Sequence, residues 1–78
     1  MNQPGFPAKA VGSNLRRLRA LKALSQRELA ALARLSPCTV NRIETGQCQP
    51  MPRTIRKLAK ALGVTTEALL IEQPRLME

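Results

Sequence analysis

Two helix starts of the same construction, eleven residues apart, constrain this chain more than any other feature of it. The first is Leu24-Ser25, followed by Glu28 and Leu29; the second is Leu35-Ser36-Pro37, followed by Val40. A serine just before a helix accepts from the backbone N–H of the third helical residue. Glu28, at that third position, can reach back to the serine's own N–H and complete a capping box. Leu24 and Leu29 occupy the two positions of a hydrophobic staple, which sets the angle at which the chain runs into the helix. Leu35 and Val40 repeat the staple and Ser36 repeats the cap. Pro37 stands at the first helical position, where a missing N–H costs nothing. Gly46, after Thr45, suits the left-handed residue that closes a helix. The sequence therefore predicts two short helices joined by a tight turn, at a fixed mutual angle.

The flanking segments supply three more helices. Val11, Leu15 and Leu18 recur at i, i+4 and i+7, predicting helix 1 from about Ala8 to Ala23, with Arg16, Arg17 and Lys22 solvated. Leu29, Ala30, Leu32 and Ala33 form the narrow apolar face expected of helix 2. Pro52 opens helix 4, Ile55, Leu58, Ala59 and Leu62 form its stripe, and Gly63 stops it. Thr65 caps helix 5, which carries Leu69, Leu70 and Ile71. Pro4, Gly5 and Pro7 make residues 1–7 a loose arm, and Pro74 lies in a tail over 72–78. The expected fold is all-α, a compact five-helix bundle over residues 8–71 in which helices 2 and 3 form a helix-turn-helix.

The chain has 78 residues, enough for one small domain with a modest core. Its 13 Lys+Arg against 5 Asp+Glu give a formal charge of +8, so it is drawn to polyanions. Nine of those 13 are arginine, the better donor to phosphates and base edges. Nucleic acid is the expected partner. General acid–base chemistry is poorly supplied: the chain has no His, Asp or Tyr and only five scattered Glu, so an enzyme is not expected. No metal and no cofactor are expected, since Cys38 and Cys48 lack the paired spacing that zinc sites use. The N-terminal residues do not read as a signal peptide, and no run approaches the ~20 apolar residues of a membrane span. A cytoplasmic protein with reduced thiols and no membrane association is expected.

Val40 and Ile43 define the buried side of helix 3, which leaves Cys38, Asn41, Arg42 and Thr45 on the opposite arc with Thr39 at its flank. A merely solvated face would favour Glu and Lys. This arc holds small or hydrogen-bonding residues and one arginine, with no acid to repel phosphate. It suits a helix in a major groove, where arginine can grip guanine and asparagine can pair with adenine. With "LRRLRALKALSQRELA" leading in, "LSPCTVNRIETG" over helix 3 and "LAKALGVTTEALL" closing the domain, residues 11–70 resemble the DNA-binding domain of the phage-repressor family. These are the five-helix regulators of the Cro and lambda-repressor type, sharing the xenobiotic-response-element helix-turn-helix.

The resemblance implies a sequence-specific transcriptional regulator, most often a repressor, that binds a palindromic operator on double-stranded DNA as a homodimer. Its two recognition helices would lie about 34 Å apart, one turn of DNA. The family's phosphate-touching Ser-Gln implies that role for Ser25 and Gln26, and Arg16, Arg34, Gln47 and Arg53 are expected on phosphates beside them. Its base-reading positions correspond to Ser36, Pro37, Cys38, Asn41 and Arg42, with Thr39 adjoining. It also implies a structural ion pair between Arg19 and Glu44. Two departures matter. Pro37 replaces a residue that often bears an amide, so readout there should be lost or apolar. Arg34 replaces a frequent turn glycine, at about 1 kcal/mol if its backbone is left-handed. A redox role for Cys38 is weaker than a small contact, for instance to a thymine methyl. The alternative function is an antitoxin-type module whose main partner is a toxin protein; the leucines of helix 5 and the tail "IEQPRLME" offer a surface either for such a partner or for the dimer.

Overall fold

The structure, a computed structural model, describes residues 8–71. The expected arm over 1–7 and tail over 72–78 lie outside the described residues. Five helices follow in order: α1 (Ala8–Leu21), α2 (Gln26–Ala33), α3 (Pro37–Glu44), α4 (Pro52–Leu62) and α5 (Thr66–Leu70). The described residues form no strands. α1 packs on α3 and α5, α2 on α3 and α4, and α4 on α5. Val11, Leu15, Leu29, Val40, Ile43, Ile55, Leu58 and Leu69 are sealed from solvent in the core they share. The core is aliphatic throughout, so its cohesion rests on close fit, at about 1.5–3 kcal/mol per buried side chain.

The helix starts form as their sequences dictate. Ser25 Oγ accepts from Glu28 N at 3.0 Å, and Glu28 Oε1 accepts from Ser25 N at 2.8 Å, so the capping box is complete. Ser36 Oγ accepts from Thr39 N at 3.1 Å, with Pro37 next to it at the head of α3. Thr65 Oγ1 accepts from Ala68 N at 3.3 Å. The helix ends share a device as well. After each of the first four helices, one N–H reaches back five residues and the N–H before it reaches back three. The pairs are Leu24 to Arg19 and Ala23 to Ala20, Leu35 to Ala30 and Arg34 to Ala31, Gln47 to Arg42 and Gly46 to Ile43, and Val64 to Ala59 and Gly63 to Lys60. Each closure needs one left-handed residue, and these are Ala23, Arg34, Gly46 and Gly63 at φ of 56°, 60°, 77° and 71°.

Three differences from the sequence reading have physical causes. α1 ends at Leu21 rather than Ala23, because Ala23 takes the left-handed conformation that turns the chain into α2. Leu32, expected on the apolar face of α2, is 59% exposed. The buried residues Leu29, Ala30 and Ala33 centre the core-facing stripe near Ala33, and Leu32 falls roughly 100° to one side of it. Ile71, grouped with the leucines of α5, is exposed, while Leu69 is buried.

Two residues not singled out in the sequence position α1. A Cβ on Gly12 would collide with the carbonyl oxygens of Ile43 and Glu44, so only glycine lets α1 lie this close to the end of α3. Asn14 is buried, and its Nδ2 donates to the carbonyls of Leu69 at 2.8 Å and Ile71 at 2.9 Å. It thereby satisfies the end of α5, whose last carbonyls have no helical partner. The left-handed alanine gives a test of this account. Ala23→Gly should stabilise the domain by about 0.5–1 kcal/mol, since relief of strain exceeds the added freedom of the unfolded chain. Ala31→Gly, inside α2, should destabilise by about 1 kcal/mol. Urea unfolding of both variants checks the pair, and equal shifts would mean that the Ala23 backbone carries no strain.

Candidate nucleic-acid interface

The surface that α3 offers begins with its cap. Ser36 Oγ bonds both Thr39 N and Thr39 Oγ1, the latter at 2.9 Å, which locks the first turn. Pro37 and Cys38 are exposed on that turn, Thr39 is half-buried, and Asn41 and Arg42 are exposed one turn further on. Val40 and Ile43 are buried beneath them. Thr45 is exposed too, but its hydroxyl donates back to the carbonyls of Asn41 and Arg42, at 3.0 and 3.2 Å. It closes the helix instead of facing a ligand.

Beneath this face lies a charge. Glu44 has a side chain only 2% exposed, and Arg19 of α1 grips it with two parallel bonds, Nε to Oε2 at 2.5 Å and Nη2 to Oε1 at 3.0 Å. Arg19 Nη1 donates in addition to the Leu24 carbonyl at 2.8 Å, so the guanidinium also fixes the link between α1 and α2. Gln26, first residue of α2, adds a third bond to the carboxylate, from Nε2 to Oε1 at 2.9 Å. Burial alone would push the Glu44 carboxyl up. The hydrogen bonds from Arg19 and Gln26, then the charges of Arg19 and Arg16, outweigh it and hold the group below the ordinary glutamate value. The bond to Glu44 raises the Arg19 pKa against the effect of its own desolvation, so the guanidinium stays charged. The expected pair thus forms, as the one ion pair among the described residues.

The residues expected on phosphates are spread over α1, both ends of α2, the link after α3 and the head of α4. Ser25 and Gln26 are at the start of α2, and Gln26 reaches Asn41 on the exposed face of α3 at 3.2 Å, so the two helices meet there. The amide hydrogens of Gln26 are spent on Glu44 and Asn41, which leaves its backbone N–H as the donor open to a phosphate. Arg16 borders a recess with Ser13, Glu44, Thr45 and Gly46, near the far end of α3. Gln47 is exposed just past that end. Arg53 lies at the head of α4 beside Met51, Thr54 and Arg56. Arg34 stands apart from Gln26, at the other end of α2, in an open groove with Leu32, Lys57 and Lys60. Its left-handed backbone carries the strain expected of a residue in place of glycine. The Arg16, Arg34, Arg42 and Arg53 guanidiniums are exposed and outside any ion pair among the described residues. No group of acidic, histidine or cysteine side chains among the described residues can hold a metal, and Cys38 and Cys48 are free thiols.

Residues 10–70 match the family model for a helix-turn-helix domain. This chain belongs to that family. An uncharacterised HTH-type transcriptional regulator of Sinorhizobium fredii is 42% identical over 57 residues, 73% of this chain and 74% of that protein. The HTH-type transcriptional repressor RghR of Bacillus subtilis is 38% identical over 63 residues, 80% of this chain. The chain spans 47% of that repressor's length. Among solved structures, the restriction-modification controller protein C.AhdI of Aeromonas hydrophila superposes with a TM-score of 0.77 at 39% identity. The match covers 80% of this chain and 94% of that one. The two sequence relatives are named transcriptional regulators, and the controller protein shares the fold of this chain, in agreement with the regulator of phage-repressor type read from the sequence. No helix among the described residues is long and apolar enough to cross a membrane.

The Glu44 cluster makes two predictions. Arg19→Ala should lower stability by about 2–3 kcal/mol, because it strips a buried carboxylate of its main partner, while Arg27→Ala on the open face of α2 should cost little. Changing Arg19 and Glu44 together should cost less than the two single changes summed. Thermal melts decide this, and equal melting temperatures for the two arginine variants would place Arg19 among the solvated charges. The second prediction concerns pH. The folded-state pKa of Glu44 is depressed, so its contribution is present above the unfolded value of about 4.3 and is lost as pH falls through the folded value. The stability gap between the native chain and Glu44→Gln should be full at neutral pH and close on acidification. A constant gap down to about pH 3 would show that Glu44 gains nothing from its partners.

Proposed function

We propose that the chain is a sequence-specific DNA-binding transcriptional regulator of the repressor type, acting as a homodimer on a palindromic operator in double-stranded DNA. The observation that carries this reading is the exposed face of α3. It places Cys38, Asn41 and Arg42 outward on a helix clamped from below by the Arg19–Glu44 pair, on a chain of charge +8. α3 lies in the major groove with Arg42 and Asn41 on base edges. Ser36, Pro37, Cys38 and Thr39 line the first turn, with Pro37 and Cys38 in apolar or small contacts. The α2 start, through Ser25 and the Gln26 backbone, docks on one phosphate run, and Arg16, Arg34, Gln47 and Arg53 take flanking phosphates. The protein has no enzymatic activity of its own in this reading, and it works in the cytoplasm, where DNA is reached and thiols stay reduced.

DNA binding should be both salt-sensitive and sequence-selective. If each half-site neutralises about four phosphates, log K should fall with log salt at a slope of about −7 for the dimer. Arg42→Ala should cost about 1–3 kcal/mol on the operator and relax preference at one base pair per half-site. Arg53→Ala should weaken all sequences alike. A binding scan against every single-base operator change, repeated at several salt concentrations, makes the comparison. A slope near zero would overturn the proposal, and a relaxed base preference in Arg53→Ala but not in Arg42→Ala would mean that another helix occupies the groove.

A further inference from the structure

The hydrogen bonds around Glu44 have a direction, and that direction reaches the surface. An ionised carboxylate only accepts and a guanidinium only donates. Arg19 fills one side of Glu44 through Nε and Nη2, and Gln26 fills a further lone pair of Oε1 at 2.9 Å. The Gln26 atom at that position is therefore its NH2 group, because its carbonyl oxygen would face a carboxylate oxygen. An NH2 group has two hydrogens, and the second points at Asn41, 3.2 Å away. The Asn41 atom there accepts, so it is Oδ1. Asn41 Nδ2 is then turned away from Gln26, on the exposed arc of α3. Reversing the Asn41 amide would set two NH2 groups against each other. Donors thus converge on Glu44 from Arg19 of α1 and Gln26 of α2, and the second hydrogen of Gln26 carries that fixed orientation outward to Asn41 on the outer face of α3.

We propose that Gln26 is a specificity-determining residue that never touches a base: it holds Asn41 as a hydrogen-bond donor and matches it to guanine or thymine at one base pair of each half-site. The inference rests on the DNA-binding reading given above. In the major groove guanine offers the acceptors N7 and O6 and thymine offers O4, whereas cytosine offers only the N4 donor. A fixed outward NH2 group accepts the first two bases and rejects the third. Adenine, the partner expected of a free asparagine, wants Oδ1 beside its N6 amino group; here Gln26 takes one lone pair of Oδ1 and holds that oxygen toward α2, out of line with the two-point pairing adenine needs. Gln26 acts through Asn41, as a positioning residue, while its backbone N–H remains available to phosphate. Asn41 is exposed and would otherwise sample both amide orientations, so the relay also removes a disorder that binding would have to suppress.

The experiment compares the native chain with Asn41→Ala, Gln26→Ala, Gln26→Met and the double change Gln26→Ala/Asn41→Ala. Each is scanned against every single-base change of an operator selected by the native chain, after thermal melts have shown it folded. Gln26→Met keeps the reach of the side chain and removes only the amide. Asn41→Ala should identify one base pair per half-site at which discrimination against cytosine falls roughly tenfold. Both Gln26 variants should lose discrimination at that same pair and at no other, and the double variant should be no less selective there than Asn41→Ala. If the Gln26 variants weaken every sequence in equal proportion and leave that pair unchanged, the relay has no part in readout. If Asn41→Ala alters no base preference, the proposal fails with it. A second measurement needs no DNA: in the side-chain amide NMR spectrum of the free protein, the Gln26 NH2 protons should exchange slowly and those of Asn41 freely. The opposite pattern would overturn the relay even where DNA binding is specific. Failure of the native chain to select any operator would instead overturn the DNA-binding reading, and the amide pattern would still decide the relay.

Discussion

Glu44 is a carboxylate with almost no exposure to water, and three helices are arranged around the need to satisfy it. Left alone, a buried carboxylate costs several kcal/mol or takes up a proton. Here α1 supplies Arg19 and α2 supplies Gln26, while α3 carries the charge itself at its last turn. The geometry of each contact is restrictive. Arg19 makes a two-point grip that tolerates little rotation, and its third nitrogen is bound to the Leu24 carbonyl in the link between α1 and α2. Aliphatic contacts hold α3 by fit and carry no direction of their own. The two-point grip on Glu44 adds that direction, so the orientation of the exposed face follows from core fit and a buried charge together.

The close approach of α1 to α3 is the second condition for that arrangement. A side chain on Gly12 would press on the Ile43 and Glu44 carbonyls and lift α1 away, taking Arg19 with it. Asn14 serves the opposite face of α1, where it binds the ends of the α5 backbone at Leu69 and Ile71. One helix thus carries, within three turns, a close contact to α3, an anchor for α5 and the cation for Glu44. The apolar stripe of Val11, Leu15 and Leu18 places all three against their partners. α1 organises the domain without contributing any of the residues expected on bases.

Much of this was legible in the sequence, and the reasons are local. Ser25 with Glu28, Ser36 with Pro37, and Gly63 after Leu62 are short-range signals whose physics needs only a few neighbouring residues, and the helix boundaries they set agree with the structure. The Arg19–Glu44 pair was reached through family resemblance, since nothing in the spacing of two charges 25 residues apart shows that they meet. Where local signals gave out, the reading failed for tertiary reasons. Ala23 has an ordinary helix-former's identity, and only the closure onto Arg19 and Ala20 makes it left-handed. Leu32 looks like core by type, but α2 is too short and too rotated to bury a fourth position. Gly12 and Asn14 inside a helix could have raised suspicion as poor helix formers, a sign of a packing or hydrogen-bonding purpose. The Gln26 contacts were invisible, because they depend on the angle between α2 and α3.

Stability and readout are therefore joined at some positions of α3 and separate at others. Asn41 shares a hydrogen bond with Gln26, and Gln26 shares the carboxylate with Arg19, so a change at Asn41 is felt by the cluster that fixes the helix. Cys38 and Arg42 have no such tie: both are exposed, and neither side chain is bound to the cluster. A chain of this build can change what it recognises most cheaply at Cys38 and Arg42, where a new side chain alters the outer face and leaves the buried charge satisfied. Altering position 41 removes the partner of one Gln26 hydrogen while the bond from Gln26 to Glu44 stays in place, so a change there is coupled to Gln26 as changes at Cys38 and Arg42 are not. The buried ion pair thus decides which surface residues are free to vary as well as how α3 is oriented.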